Sequence, residues 1–268
     1  MSRLALALIL VSTSTYGAVS GNYGPAPLVE NIQAMLTRTN PSAINPYVHV
    51  GGYRTNGDWG QPRLARWIPS GNATTNLGCV FNGPNGQWVF QDCESGEVDV
   101  RWFGATGCGV TDDGVTINAA IDYASTNKIV RIPLGSYLLT NFLVLNTGTK
   151  LVGDGIGKTY LLRGGTSAQT NSHLYATIQT PAVFNPYVTN GGHVGSVTCT
   201  VTNVSLEGFT LTTADGYHPG FGIALFGHQN AKLNNVEITG CTNHWAVTVF
   251  GNNTEIRGLQ IRNAMIIS

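Results

Sequence analysis

An all-β chain, most of it wound into a parallel β-helix, is the fold class that the sequence predicts, on three observations. Gly occupies 34 of the 268 positions, whereas charged residues make up only 10% of the chain. That composition disfavours long surface helices and suits short strands separated by frequent turns. From residue 128 onward, short apolar segments alternate with Gly, Asn or Pro, and a repeat of about two dozen residues follows them.

The internal repeat carries most of this prediction. A motif of three apolar residues, at positions 1, 4 and 6, begins at Leu206 and recurs from Leu233 and again from Ile256. A second matching pair, Phe226 and Phe250, has nearly the same spacing. One coil of this kind cannot bury its apolar face alone, so we expect coils to stack at the inter-strand spacing of about 4.8 Å. A β-sandwich would instead show hairpin turns at much shorter intervals, without such a repeat.

The N-terminus and the charge balance indicate an exported protein with no nucleic-acid partner. Fourteen basic and 14 acidic side chains cancel, so no electrostatic field points to nucleic acid or to an acidic membrane. Arg3 precedes an apolar run from Leu4 to Val11, and small residues continue to Ser20. Such a run is too short to span a bilayer and is typical of a cleaved signal. We expect a secreted, periplasmic or cell-surface protein with no membrane span after cleavage.

The chain divides into four predicted parts. Residues 1–20 are the signal peptide, residues 21–47 a Pro-rich linker, residues 48–99 a small aromatic-rich β module, and residues 100–268 the β-helix domain. The tryptophans of the module suit either a sugar-stacking surface or core filling, and core filling is the commoner role of Trp in so small a unit.

Five cysteines fit an exported protein. Cys79 and Cys93 flank a hairpin turn at residues 82–86, and we predict a disulfide between them; Cys93 with Cys108 is the alternative. The chain has no Cys-x-x-Cys pair, which argues against a zinc or redox site. No metal or other cofactor is predicted, and no cluster of carboxylates supports calcium.

One amphipathic helix is predicted over residues 115–124, because apolar residues recur there with helical spacing. Asp112 or Asp113 stands just before it, where a carboxylate caps free N–H groups and meets the positive end of the helix dipole. A catalytic pair of carboxylates is the alternative interpretation of these two residues.

The segments around this helix resemble a known superfamily. Phe103-Gly104-Ala105, then Gly-x-Thr-Asp-Asp at 109–113, then Ile-Asn-Ala-Ala-Ile-Asp at 117–122 are similar to the opening of the pectate-lyase-like β-helix superfamily, and closest to its rhamnogalacturonase and epimerase-type branch, which includes phage tailspikes. Residues 130–137 and 151–157 continue the resemblance, which covers roughly residues 100–268.

This resemblance implies a right-handed β-helix whose first coil is capped by the helix at 115–124, with Asp112 and Asp113 in structural roles. The motifs are more specific for fold than for chemistry, since the branch holds lyases, glycoside hydrolases, epimerases and binding-only tailspikes. The catalytic motifs of the pectin-hydrolysing branch are absent from the sequence, which counts against a polygalacturonase.

The best candidate site is a pair of loops on neighbouring coils. Counted from the repeated motif, Tyr217 and His218 have the same phase as His244 and Trp245, and the first loop is three residues longer than the second. Asp215 or His218 would serve as catalytic acid or base, while Tyr217, His244 and Trp245 would bind the substrate. A purely structural role for these residues, as an Asp-Gly turn and a filled corner, is the alternative.

These observations favour a secreted, carbohydrate-active protein acting on a polysaccharide, as a pectate-lyase-like polysaccharide lyase or a glycoside hydrolase. The alternative is a non-catalytic glycan-binding or tailspike-like adhesion protein. The apolar run Met265-Ile266-Ile267 closes the sequence in mid-coil, and solenoid ends need covering. A homo-oligomer or further C-terminal coils are therefore the expected cover.

Overall fold

The computed structural model describes residues 25–38, 45–124, 128–164, 176–181, 201–214, 222–240 and 246–263. Two β-sheets dominate these residues, one with five strands and one with 13. The predicted signal peptide and all five predicted site residues, at 215, 217, 218, 244 and 245, lie outside the described residues. None of the helices within the described ranges is long and apolar enough to cross a bilayer.

The N-terminal elements are β1 (Leu28–Val29), α1 (Ile32–Leu36), β2 (Tyr47–Val50), β3 (Arg63–Pro69), β4 (Val80–Gly83) and β5 (Gly86–Phe90). Two 3₁₀ turns, Gln91–Glu94 and Val100–Phe103, flank β6 (Glu97–Asp99). The remaining elements are β7 (Cys108–Asp112), α2 (Gly114–Ala124), β8 (Ile129–Ile132), β9 (Gly135–Leu139), β10 (Leu143–Val144), β11 (Lys150–Gly153), β12 (Thr159–Arg163), β13 (Ile178–Gln179), β14 (Val201–Thr202), β15 (Ser205–Thr213), β16 (Ile223–Thr239), β17 (Val247–Arg257) and β18 (Gln260–Arg262).

The smaller sheet has the strand order β1-β2-β3-β5-β4 and is antiparallel except for the pair of β1 with β2. It starts earlier than the predicted module, because Leu28 and Val29 pair with β2 and α1 follows them. These elements lie in the segment interpreted above as a linker. At the other boundary, β6 pairs with β8 and so belongs to the larger sheet.

Aromatic side chains fill the core of the small sheet. Trp59 and Trp67 are each 5% exposed and Trp88 is fully buried, so these tryptophans are core residues and not a sugar-stacking surface. Arg63 is buried among aromatic rings, with its guanidinium carbon 4.1 Å from the ring centre of Trp102. Asp92 neutralises Arg63 through two hydrogen bonds of 2.8 Å, which satisfies a charge that would otherwise be costly to bury.

The predicted disulfide between Cys79 and Cys93 is present. It joins the residue before β4 to the 3₁₀ turn at 91–94 and lies next to the buried Arg63, whose Nη2 donates to the Cys93 sulfur. Cys108, the alternative partner, is an exposed free thiol. The sulfurs meet because the β4–β5 hairpin folds back through residues 84–85, as its turn residues indicate.

The larger sheet is a parallel β-helix. Every strand pair in it is parallel, and strands that follow one another along the chain lie on different faces of the solenoid. Face A comprises β6, β8, β11 and residues 205–207, 232–234 and 254–257 of β15, β16 and β17. Face B comprises β7, β9, β12, the C-terminal parts of β15 and β16, and β18. Face C comprises β10, β13 and the N-terminal parts of β16 and β17.

The strands pair in the register that the sequence repeat predicts. Leu206 pairs with Leu233, Leu233 with Ile256, and Phe226 with Phe250. Inward-facing residues of successive coils therefore form continuous apolar rows. On face A the row is at most 1% exposed and consists of Val98, Val130, Leu151, Leu206 and Leu233.

Asparagines in left-handed backbone form a ladder between face C and face A. Asn203, Asn230 and Asn253 have φ of 58°, 58° and 56°. Asn230 Nδ2 donates to Asn203 Oδ1 at 3.1 Å, and Asn253 Nδ2 donates to Asn230 Oδ1 at 2.7 Å. Asn tolerates positive φ better than other residues with a Cβ, and its amide both donates and accepts, so one residue type both turns the chain and links the coils.

Helix α2 caps the first coil in place of a strand. Ile117, Ala120, Ile121 and Ala124 face the solenoid core and are fully buried. The helix also contacts β10: Asn118 Nδ2 donates to the Phe142 carbonyl at 2.9 Å, and Asn118 Oδ1 accepts from the Val144 N–H at 3.0 Å. The Asn118 amide thus satisfies the groups at the β10 edge that a neighbouring strand would otherwise pair, and it protects an edge that would be prone to association.

The asparagine ladder leads to a prediction about Asn230. Asn230→Val is expected to lower the free energy of unfolding by about 3 kcal/mol, because a β-branched residue is strained at positive φ and two side-chain hydrogen bonds are lost. Asn230→Gly keeps the backbone geometry and loses only the hydrogen bonds, so we expect about 1 kcal/mol. Urea unfolding measures both, and equal losses for the two variants would contradict the role of the left-handed backbone.

The disulfide leads to a second stability prediction. Cys79 and Cys93 are 14 residues apart, and closing a loop of that size restricts the unfolded chain. Replacing both with Ser is expected to lower the free energy of unfolding by about 3 kcal/mol. Cys108→Ser is the matched control, since this thiol is exposed and unpaired, and it should unfold at the wild-type denaturant concentration. Coincident unfolding curves for all three proteins would refute the prediction.

Candidate functional site

The structure defines the places where the two predicted site loops leave and rejoin the solenoid. The first loop follows Ala214 and the second follows Gly240, at the ends of face B strands that pair in register. They rejoin at Gly222 and Ala246, where Ile223 N–H donates to the Ala246 carbonyl at 2.9 Å. Both ends of one loop therefore lie one coil away from the matching ends of the other. The positions of the loop residues themselves lie outside the described structure.

Arg163 and Asp112 lie at this end of face B. The Arg163 carbonyl accepts from Ala214 N–H at 2.8 Å, at the start of the first loop, and its side chain is 6% exposed. Burial lowers the pKa of Arg163, and the charge of Asp112 partly offsets that effect. Burial acts to raise the pKa of the Asp112 carboxyl, but hydrogen bonds from Thr140 and from the Gly114 N–H outweigh burial and lower that pKa. Sequence reasoning missed Arg163, because a single charge in an apolar strand carries no motif.

Asp113, the second member of the pair, is a structural residue. Its side chain is fully buried and accepts hydrogen bonds from the N–H groups of Thr106 at 2.7 Å and Gly107 at 3.0 Å. Its carbonyl accepts the first N–H bond of α2, from Ile117. Burial raises the pKa of the Asp113 carboxyl, against the opposing effect of these donors. The capping interpretation is therefore correct for Asp112, whose carboxylate accepts from the Gly114 N–H at the start of α2, whereas the Asp113 carboxylate holds the turn at 106–107 instead.

Face A carries an outward row of charged and amide side chains. In register, Glu207 is followed by Asn234 and Arg257, and Asn234 Nδ2 donates to Glu207 Oε1 at 3.0 Å. Beside this row, Glu255 pairs with Lys232 at 3.5 Å and with Arg257. The basic side chains are more than half exposed, so these pairs lie in solvent and contribute little to stability.

Glu237 is the most enclosed of the outward carboxylates on face B. Its side chain is 14% exposed, whereas that of its partner Arg262 is 65% exposed. Thr210 Oγ1 donates to Glu237 Oε2 at 3.0 Å, and Arg262 Nε lies 3.1 Å from Glu237 Oε1. The low exposure of Glu237 comes from contact with Thr210 one coil below, and only the register of the strands brings these two residues together.

The outward carboxylates on faces A and B that the structure describes are already engaged. Glu97 and Asp154 both contact Arg131, at 3.0 Å and 3.6 Å, and Asp154 also accepts from Leu134 N–H at 2.8 Å. With Glu207, Glu237 and Glu255 bound as above, these faces present paired carboxylates and no free one among the described residues. Within the same residues, no three His, Cys, Asp or Glu side chains are grouped to hold a metal ion.

Cys108 on β7 is an exposed thiol with nearby hydrogen-bond partners. Its sulfur lies 3.2 Å from Thr106 Oγ1 and 3.5 Å from Thr111 N. Hydrogen bonds from the Thr106 hydroxyl, then from the backbone N–H groups of Thr111 and Val110, lower the pKa of the Cys108 thiol to about 6. A thiolate at neutral pH is nucleophilic, and Cys108 is exposed, so this side chain is expected to react with alkylating reagents.

Comparison with known proteins assigns the fold and a family. Residues 97–263 match the family described as rhamnogalacturonase A/epimerase, pectate lyase-like. A glucan 1,3-beta-glucosidase of Cochliobolus carbonum is 28% identical over 160 residues, which cover 53% of this chain and 20% of that enzyme. This chain thus spans only about a fifth of that relative.

Two solved structures share the fold. The enzymatically active domain of bacteriophage CBA120 tailspike protein 2 has 15% identity and a TM-score of 0.53, covering 87% of this chain and 33% of that one. An iota-carrageenase complexed to iota-carrageenan fragments has 16% identity and a TM-score of 0.50, covering 73% of this chain and 41% of that one. At these identities the likeness supports the parallel β-helix fold alone.

The lowered thiol pKa predicts the pH dependence of Cys108 alkylation. The rate with iodoacetamide, followed at this residue by mass spectrometry of peptides, should reach half its maximum near pH 6. An unperturbed cysteine reaches it at about pH 8.5. Thr106→Val removes the strongest of the stabilising donors and should move the midpoint upward. A wild-type midpoint near the unperturbed value would contradict the prediction.

Proposed function

The chain belongs to the rhamnogalacturonase A/epimerase, pectate lyase-like family, and from this we propose that it is a secreted enzyme that cleaves a polysaccharide, by lyase chemistry in preference to hydrolysis. The proposed active site is formed by the loops at 215–221 and 241–245. Membership of a carbohydrate-active family supports the substrate class, while the register of the coils supports the location.

The pairing of the loop ends is the observation that supports this location for the active site. Leu211 pairs with Ile238 before the loops, and Ile223 pairs with Val247 after them. Neighbouring strands are about 4.8 Å apart, so two loops anchored in this way start and finish one rung apart. Equal phase then favours contact between their side chains, which is the condition for a shared site.

Within this proposal Asp215 and His218 are the catalytic acid and base. In a lyase reaction the base removes the proton at C5 of a uronate, the electron pair forms the C4–C5 double bond, and the bond from C4 to the glycosidic oxygen breaks. The acid then protonates the departing oxygen. Tyr217, His244 and Trp245 would bind the sugar rings by stacking and hydrogen bonding. Since the described outward carboxylates of faces A and B are paired, the loops are the better source of free acid and base groups.

Arg163 supplies the positive charge that this chemistry needs. A uronate carboxylate must be neutralised before its C5 proton becomes acidic enough to remove. Arg163 lies at the base of the first loop, and Arg remains protonated at neutral pH even when burial lowers its pKa. We propose that its buried charge, at the start of the first loop, stabilises the substrate carboxylate electrostatically and without direct contact, since Arg163 is only 6% exposed.

A non-catalytic glycan-binding protein is the second candidate, because the described outward carboxylates of faces A and B are paired and catalysis would depend on the loops alone. Engaged acidic groups on faces A and B suit a surface for binding more than one for proton transfer. In that case the same loops would hold a glycan without cleaving it.

Asp215→Ala and His218→Ala test the proposal. Each is expected to lower polysaccharide cleavage by about 100-fold or more, because general acid and base catalysis contribute on that order. Cleavage is measured over uronic-acid and neutral polysaccharides by ultraviolet absorbance, which detects the unsaturated product, and by release of reducing ends. Asp154→Ala is the control, a turn aspartate away from the loops. Undiminished cleavage in both variants would remove the assignment, and retention of glycan without cleavage by the wild type would favour the binding function.

A further inference from the structure

A groove of about 640 Å³ lies where the N-terminal sheet meets the capping helix. One side is the loop at 73–77, with Val80 behind it, and the other side is α2 at Ala119, Asp122 and Tyr123. We call these residues the cap groove. Its volume is within the range of about 300–1,000 Å³ that is usual for small-molecule sites, which often form where two packed units meet.

The two sides of the cap groove are tied together. Asn76 Oδ1 accepts hydrogen bonds from the three backbone N–H groups of residues 78–80, which fixes the loop. The disulfide continues from Cys79 to Cys93, and the Cys93 carbonyl accepts from the Tyr123 hydroxyl at 3.1 Å. A covalent bond and short hydrogen bonds thus hold the groove in one shape before any ligand binds, which reduces the entropy lost on binding.

Polar groups with spare hydrogen-bonding capacity line its rim. The hydroxyls of Thr74 and Thr75 are exposed and have no partner in the part of the chain that the structure describes. Asn76 uses its oxygen for the loop, which leaves its Nδ2 hydrogens to donate. Asp122 accepts from Asn146 Nδ2 with Oδ1 only, so its second oxygen can accept. The rim therefore offers both donors and acceptors.

The floor is apolar. Leu77 lines the groove, is 55% exposed and has left-handed backbone, with φ of 62°. Val80, Ala119 and the half-buried ring of Tyr123 complete the surface. An aliphatic and aromatic floor packs well against the C–H face of a sugar ring, while the rim meets the ring hydroxyls.

We propose that the cap groove binds a neutral saccharide. Hydroxyl groups of a sugar match the mixture of donors and acceptors, whereas a wholly apolar ligand would leave the rim groups desolvated without partners. Asp122 contributes the one carboxylate among the described residues of the lining, so an acidic sugar would be repelled. This site goes beyond the proposed function, since it requires neither catalysis nor the two loops.

The test measures binding of neutral hexasaccharides of glucose, mannose and galactose to the full chain by titration calorimetry, beside a galacturonate hexasaccharide. At least one neutral sugar is expected to bind, and more tightly than the galacturonate. The double variant Thr74→Val, Thr75→Val removes two hydrogen bonds at exposed positions and should weaken that binding about tenfold or more. Thr55→Val, an exposed threonine outside the groove, is the matched control and should bind as the wild type does.

Three results would overturn the proposal. These are the absence of binding by all neutral hexasaccharides at millimolar concentration, tighter binding of the galacturonate, and unchanged affinity of the double variant. The double variant Asp215→Ala, His218→Ala separates the two sites. If this variant loses neutral-sugar binding while the threonine double variant keeps it, the sugar binds at the loops and the cap groove is excluded. Loss of cleavage without loss of this binding would support both sites independently.

Discussion

Parallel, in-register stacking of successive coils is the constraint on which the rest of this structure depends. Each coil leaves its backbone groups and its apolar face unsatisfied until the next coil covers them. The row from Val98 to Leu233 is fully buried for this reason, whereas Ile256 in the same row is 45% exposed on a strand with no described neighbour above it. Burial in this fold is therefore decided by the adjacent coils and not by the residue alone.

Stacking imposes the same order on polar groups. Side chains at equal phase meet one rung apart, so Asn203, Asn230 and Asn253 form a ladder, and Glu207 and Glu237 find an amide and a hydroxyl on the neighbouring coil. Regular faces of the solenoid thus tend to satisfy their own polar groups. Chemistry that requires a free acid, base or ligand group is then more easily placed where regular stacking stops, at loops and at junctions.

The junction between the small sheet and the capping helix is built around the Cys93 carbonyl. It accepts from the Tyr123 hydroxyl and from Lys128 Nζ, both of which belong to the first coils of the solenoid. Close contact continues at Gly78, where an added Cβ would lie 2.5 Å from the Phe103 ring, so a larger residue could not be accommodated without moving the sheet. The small sheet and the solenoid accordingly share one hydrophobic core.

Spacing along the chain was enough for the sequence by itself to predict the parallel β-helix and the helix at 115–124, and to favour the disulfide between Cys79 and Cys93 over the alternative with Cys108; the capping place of the helix was implied by the family resemblance. Repeats fix phase, the helical period of the apolar residues fixes α2, and a short hairpin brings Cys79 to Cys93. Only the tertiary structure decided that Trp88 is core, that Asp113 is buried against Thr106, and that Glu237 is enclosed. These outcomes depend on contacts between residues distant in sequence or on different coils, so local patterns left more than one interpretation open. The cap groove likewise follows only from the tertiary structure, since its two sides come from separate elements that lie far apart along the chain.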